Sequence, residues 1–518
     1  MWAWACLTAL WSCVAVAQDP LDAAFDQYWA AENSAVQAQA VSEILATGAS
    51  FEVIHGRLSA GRTYSANVPT GTLDLSNRSS NGTKHHYRVL IPKNYDPARR
   101  YPVRFYLHGG VQRPAWRKGG KWWGRYARFE SEEQITVFPS SWKQSMWWTR
   151  RQNANLRAIL DKLKRSYNVD ENRVHLIGIS DGATGSWFYA LRDPTPWAAY
   201  LPFIGHPGVL SNARLGVDGQ IYPRNAHGQY FYVINGGLDP LYPLKYVMPY
   251  MELMQRAGGN IAFSFHPDAG HDLRWWREEA DNIEAFIVQH PRDPLPDQLR
   301  WETETVKRYN RNAWLMVTEL GASASDQQLP ALTQLERWPT LGFKPDPDSA
   351  EGVVVVKVSA GSVARAAGLR RNDRVVALEG QPIGTLADLE SALGQPQWGD
   401  RFAASIVRKG ERFDVDFVFP TQAPADQSAS SFRYRRPSGR IEVDRVGNRF
   451  EVRSEGIRRF RLLLSPEEID FHQPVVLISN GIESWNSVVR PDAKTLLQWA
   501  AKDNDRSMLF GAELEIEL

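Results

Sequence analysis

The segment VHLIGISDGATGSWFYAL, residues 174–191, most constrains what this chain can fold into. A β-branched and apolar run leads into a G-x-S-x-G between Gly178 and Gly182, and a small-residue helix start follows. Such a turn lifts a serine above the end of a strand, and it is so sharp that neither flanking glycine can carry a Cβ. The surrounding 200 residues suit it. Between His85 and His290, short runs such as YPVRFYLHGG, ITVFPSS, YFYVING and IAFSFHP alternate with helical stretches. Strands alternating with helices predict a mostly parallel sheet covered on both faces, with its chemistry at the carboxyl ends of the strands.

A serine hydroxyl is a weak nucleophile near neutral pH and needs a base that a carboxylate orients. On such a sheet the three arrive in the order Ser, Asp or Glu, His. Ser180 is followed by Asp239 on a turn after YFYVING, then by His271 after IAFSFHP. Rival acids are Asp218 and Asp268, the latter on the same loop as His271; rival histidines are His206 and His266. An oxyanion needs backbone donors, which Gly109 and Gly110 of His108-Gly109-Gly110 would supply together with the N–H of Asp181.

These motifs resemble the α/β-hydrolase superfamily. The Asp181 to Gly185 continuation is similar to secreted esterases of the polyhydroxybutyrate depolymerase and feruloyl esterase branch, with Ala183 where a second glycine is usual. The resemblance implies a hydrolase domain over 85–292 and cleavage of a small-molecule or polymer-linked ester. Candidates for the substrate cleft are His206, Trp116, Trp122, Trp147 and Trp148, interleaved with Arg113, Arg117, Lys118 and Lys121. Aromatic faces and guanidinium groups suit a sugar-linked, phenolic or anionic ester, though the same rings could simply pack beneath a long loop.

Past Pro339 the character changes to TLGF, VVVVKV, GSVARAAGL and NDRVVALEG, which resembles a bacterial PDZ domain over 338–421. Leu341, Gly342 and Phe343 match its carboxylate loop, and Asn372-Asp373 stands where Gly-Asp is usual. The match implies an α+β module and a peptide C-terminus as a candidate partner. After the linker PTQAPADQSASS the chain turns β-rich, with RIEVDRVGNRFEVRS reading as a hairpin about Gly447-Asn448. Similarity to the accessory domain of some secreted esterases implies that 296–325 and 432–518 form one β-rich unit with the PDZ domain inserted. Residues 18–84 read as a helical lead-in.

At the N-terminus an uncharged apolar run ends in Ala15-Val16-Ala17, as a signal peptide over 1–17 would, with Leu10-Trp11-Ser12-Cys13 as an alternative lipoprotein box. Both cysteines, Cys6 and Cys13, fall inside it, so the exported chain would carry no disulfide, thiolate metal site or cysteine nucleophile. Export to the periplasm or beyond is therefore expected. No later stretch reaches the roughly 20 apolar residues that span a bilayer. A formal charge of +2 supplies no field for nucleic acid. No His, Asp and Glu cluster has metal-ligand spacing, and neither metal nor cofactor is expected. The expectation is an exported serine esterase; a serine peptidase of the same fold and a silent PDZ-mediated binding protein are the alternatives.

Overall fold

The computed structural model describes residues 19–518 apart from 32–33, 117–131, 218, 322–332, 335–338, 347, 395, 423–428 and 433. Residues 1–17, read as a signal peptide, the rival acid Asp218, Trp122, and the basic residues Arg117, Lys118 and Lys121 lie outside the described residues.

Among the described residues three helices come first: α1 (Pro20–Ala30), α2 (Ser34–Ala46) and α3 (Phe51–Ala60). Their apolar faces, with Phe25, Tyr28, Ile44 and Ile54 buried, close on Leu496, Leu497 and Ala500 of the last helix, α10 (Ala493–Asp503).

The main sheet runs β1 (Gly71–Arg78), β2 (Lys84–Ile91), β4 (Ile135–Pro139), β3 (Tyr101–Leu107), β5 (Val169–Ile179), β6 (Ala199–Phe203), β7 (Tyr230–Gly236), β8 (Asn260–His266). Strands β3 to β8 are mutually parallel, while β1 and β2 form an antiparallel hairpin at one edge. The sheet thus begins earlier than residue 85. In the sequence residues 71–84 fall within the helical lead-in, because a strand exposed at a sheet edge keeps little alternation, and GTLDLSNR is mostly solvated. Helices α4 (Arg150–Ser166), α5 (Asp181–Arg192), α6 (Leu244–Arg256) and α7 (Trp276–Gln289) cover the faces. Buried strand residues such as Val103, Phe105, Val174 and Leu176 sit in one cluster with Trp187 and Leu156, while Leu201, Phe203 and Ile234 pack on Trp275 and Ile283 in another. This is the α/β-hydrolase fold.

The remaining sheets are β-rich. β9 (Gln298–Thr303) pairs with β20 (Gly439–Val446), Trp301 opposite Ile441; β11 (Leu315–Leu320) pairs with β22 (Ile457–Leu464), Leu315 opposite Leu462. The Gly447-Asn448 turn joins β20 to β21 (Arg449–Glu455). Between β11 and β20 the chain makes a separate five-strand path: β13 (Phe343–Pro345), β14 (Val353–Val358), β15 (Arg374–Leu378), β17 (Arg401–Arg408), β18 (Glu411–Val418). Its core holds Leu341, Val353, Ile406 and Leu389 of α9 (Leu386–Leu393). β12 (Thr333–Gln334) and β19 (Ala429–Ser430) pair antiparallel where the chain leaves and re-enters.

The buried Arg192 forks onto Glu304 with both contacts at 2.7 Å, and Arg292 and Lys164 meet the buried Asp505 at 2.9 and 3.1 Å. These pairs tie the hydrolase sheet to the β-rich part, and the two cations hold the Asp505 carboxyl well below its ordinary range despite burial.

Candidate active site

All the sequence-singled residues of the main sheet lie at strand carboxyl ends: Ser180 just after β5, Asp239 after β7, His271 after β8, and Gly109-Gly110 after β3. Ser180 has φ 56° and ψ −118°, a strained conformation that the turn imposes. The glycines explain why it persists. A Cβ on Gly178 would lie 2.1 Å from the Gly182 carbonyl oxygen, and one on Gly182 would lie 1.9 Å from that of Leu107. Both obstacles are backbone and cannot turn aside. Gly182→Ala is accordingly expected to destabilise the protein by about 3 kcal/mol or more. Gly56→Ala in α3, where an added methyl meets nothing within 4 Å, should be stabilising by up to about 1 kcal/mol. Urea unfolding of the two variants checks the pair; equal midpoints would contradict it.

The three side chains meet. His271 Nε2 lies 2.9 Å from Ser180 Oγ, and His271 Nδ1 lies 2.8 Å from Asp239 Oδ2. Asp239 is only 2% exposed, and its other oxygen accepts from the backbone N–H groups of Leu241 and Tyr242 at 2.8 and 3.0 Å. The rivals are engaged elsewhere: His266 contacts Glu279 at 3.0 Å, and His206 Nδ1 accepts from Gly208 N–H at 2.7 Å.

The loop after β3 is held from several sides. A Cβ on Gly109 would sit 2.8 Å from Ser180 Cβ, so this glycine's backbone closes on the serine. Asp181 presents its carboxylate to Val111 N–H at 2.8 Å, while its own amide begins α5 beside Ser180. Gly110 takes φ 65°, and its carbonyl accepts from Arg113 Nε at 2.5 Å. His108 accepts from Ser141 N–H at Nε2, 2.9 Å, so Nδ1 carries the proton and donates to Gly109 O at 2.8 Å.

Trp147 and Trp148 do not line an open cleft. Trp147 is fully buried and donates to the His108 carbonyl at 2.9 Å; Trp148, 5% exposed, donates to Leu215 O at 2.8 Å. They brace the site from behind. Trp116 is half-buried against the His86 ring, with centroids 4.7 Å apart. His206 stands beside Tyr242 and Tyr250, at ring separations of 6.0 and 4.9 Å. Tyr242 was not singled out from sequence. Its ring lies 5.5 Å from that of His271, and burial, with the Asp181 and Asp239 charges nearby, pushes its hydroxyl up to about 12, the Ser180 hydroxyl beside it pulling the other way. Its place three residues after Asp239 was the available signal.

Burial favours the neutral form of His85, His86 and His227, and most of all of three others: His108 falls to about 4, His175 to about 3 and His206 to about 4. Each lies below the roughly 6.5 of an unfolded chain, so on acidification the unfolded state takes up protons first and stability falls. We expect urea midpoints to drop steadily between pH 6.5 and 4, with about 2 kcal/mol lost by pH 5 through the fully buried His175 alone. Midpoints that stay level over that range would contradict this.

The sheet order and the strand-end serine are those of the α/β-hydrolase fold, and residues 320–417 match the PDZ domain family model. Among curated proteins, 144 residues, 26% of this chain, are 27% identical to 20% of the bifunctional acetylxylan esterase/xylanase of Neocallimastix patriciarum. A further 82 residues, 16% of this chain, are 34% identical to 16% of a probable periplasmic serine endoprotease DegP-like from Chlamydia trachomatis. The chain therefore spans no more than 20% of either relative's length. Solved structures similar to it include a thermostable esterase, 20% identical over 43% of this chain and 63% of that one, TM-score 0.35. A ferulic acid esterase is 17% identical over 43% and 99%, TM-score 0.33, and an acylaminoacyl peptidase 14% over 42% and 41%, TM-score 0.33.

Proposed function

We propose that this chain is an exported serine hydrolase that cleaves a carboxylic ester. The observation that carries the reading is the unbroken line Asp239, His271, Ser180, at 2.8 and 2.9 Å, on a strained turn at the end of a central strand. In this scheme His271 Nε2 takes the hydroxyl proton as Ser180 Oγ attacks the acyl carbon, and Asp239 holds the imidazole in the tautomer that leaves Nε2 free to accept. The backbone N–H groups of Gly109, Gly110 and Asp181 are the donors for the developing oxyanion, and the absence of a Cβ on Gly109 lets its backbone approach Ser180. The same His271 returns the proton to the leaving alcohol, and water then repeats the sequence on the acyl-enzyme. Export rests on the segment ending at Ala17 and accords with the periplasmic relative of the PDZ region. The reading also divides the chain into a hydrolase unit, a β-rich unit formed by strands on both sides of the PDZ module, and that module as an insertion, which the pairings of β9 with β20 and β11 with β22 support.

The peptidase alternative is favoured by one observation, the PDZ module with its protease-type relative. Fluorophosphonate labelling of the mature protein, followed by turnover of para-nitrophenyl acetate, feruloyl and sugar esters against peptide para-nitroanilides, separates the readings. Labelling with ester turnover supports the proposal; labelling with amide turnover alone transfers it to the peptidase. Absence of labelling removes both and leaves a binding protein.

A further inference from the structure

The PDZ module does not stand clear of the hydrolase. Between them lies a cleft of about 600 Å³, with the carboxylate loop Leu341 to Phe343 and helix α9 on one side and the segment around Leu238 and Tyr246, with Phe265, on the other. Strand β13 ends the sheet order of its module, so one of its edges has no strand partner among the described residues and faces this space. Gly342 takes φ 75°, with its Cα so close that a Cβ would lie 2.3 Å from Ser362 Cβ. An unpaired sheet edge accepts an extended chain by adding a strand, and Leu386, Leu389 and Leu393 of α9 line the same cleft.

The hydrolase side is unusual for a surface. Leu238, Tyr246 and Phe265 are 40%, 54% and 44% exposed, three large apolar groups gathered on one wall. Apolar groups clustered in this way mark binding sites, whereas isolated ones need no explanation. The two walls are also held in register. Lys245 beside Tyr246 meets Glu390 of α9 at 3.2 Å, a half-exposed pair that orients more than it stabilises. Where the chain returns from the module, the Tyr250 hydroxyl of α6 donates to Ser431 O at 3.0 Å and the buried Phe432 packs on the Tyr250 ring. Lys344 on β13 follows the Leu341 to Phe343 loop directly and offers an anionic chain end a cation there, while Asp268 lines the hydrolase side and Glu390 is taken up by Lys245.

We infer that this cleft is one composite site for a polypeptide carboxyl terminus, with the last, apolar residue and free carboxylate at Leu341 to Phe343 and upstream side chains packed on Leu238, Tyr246 and Phe265 of the hydrolase. The hydrolase thereby supplies part of the recognition that the PDZ edge alone would provide. The site does not depend on the reaction proposed above, and its test does not use turnover.

A library of random heptapeptides displayed with free carboxyl termini is selected on the full chain, and enriched peptides are resynthesised with an N-terminal fluorophore, as acids and as amides. Peptides ending in an apolar residue should be enriched, amidation should weaken them at least tenfold, and Tyr246→Ser/Phe265→Ser should weaken the acids about five- to tenfold, as loss of one apolar contact region does. A benzophenone placed upstream in the peptide should crosslink to residues 238–246 or 265–268, located by mass spectrometry, which reads the wild-type protein and needs no variant. Failure to enrich any peptide, equal binding of amides, or crosslinks confined to residues 339–396 would overturn the composite site.

Discussion

Ser180→Ala is expected to take ester turnover to the assay floor, a loss on the scale of about 10⁶-fold known from removal of a triad nucleophile. The structure makes this a clean substitution. Ser180 Oγ is the atom that faces His271 Nε2 at 2.9 Å, and alanine removes only that oxygen from a turn whose shape is set by Gly178, Gly182 and the Leu107 carbonyl. Folding should therefore be unchanged, and substrate binding should survive. The check is turnover and fluorophosphonate labelling at matched protein concentration, with the urea midpoint as control. Turnover within tenfold of the parent would dismiss Ser180 as nucleophile.

Asp239→Asn should cost about 10⁴-fold in kcat, the scale found when a triad carboxylate becomes an amide. The hydrogen bonds show why a nearly isosteric change would matter. One oxygen of Asp239 accepts two backbone N–H groups, from Leu241 and Tyr242, so the carbonyl oxygen of an asparagine must occupy that place. Its amide group then points at His271 Nδ1, which has to accept where it formerly donated. The ring proton moves to Nε2, the nitrogen that must take the proton of Ser180. A kcat loss with little change in KM, partly recovered at higher pH where hydroxide can replace the base, is the expected signature. A loss confined to KM would place Asp239 in binding instead.

The candidate site was legible because each of its residues carries a local backbone requirement. The elbow demands glycines at fixed spacing, the acid and the base sit on turns after apolar runs, and His108-Gly109-Gly110 ends an early strand. The surroundings were not legible in that way. An aromatic near a site can line it or support it, and Trp147 and Trp148 turned inward because their indole N–H groups found the carbonyls of His108 and Leu215. Tyr242 became part of the site through the turn that Asp239 itself caps. The β1 strand escaped notice because its partner covers only one edge and its faces stay wet.

By itself the sequence determined the succession of strands and helices, the strained turn at Ser180 and the change to a PDZ-like pattern near Pro339, since these depend on side-chain periodicity and on which residues tolerate a given φ. The tertiary structure alone decided other distant partnerships: Arg192 with Glu304, Arg292 with Asp505, and the exposed Leu238, Tyr246 and Phe265 with the edge of β13. Contacts of that kind arise from the packing of whole sheets and modules, and no short-range pattern in the chain encodes them.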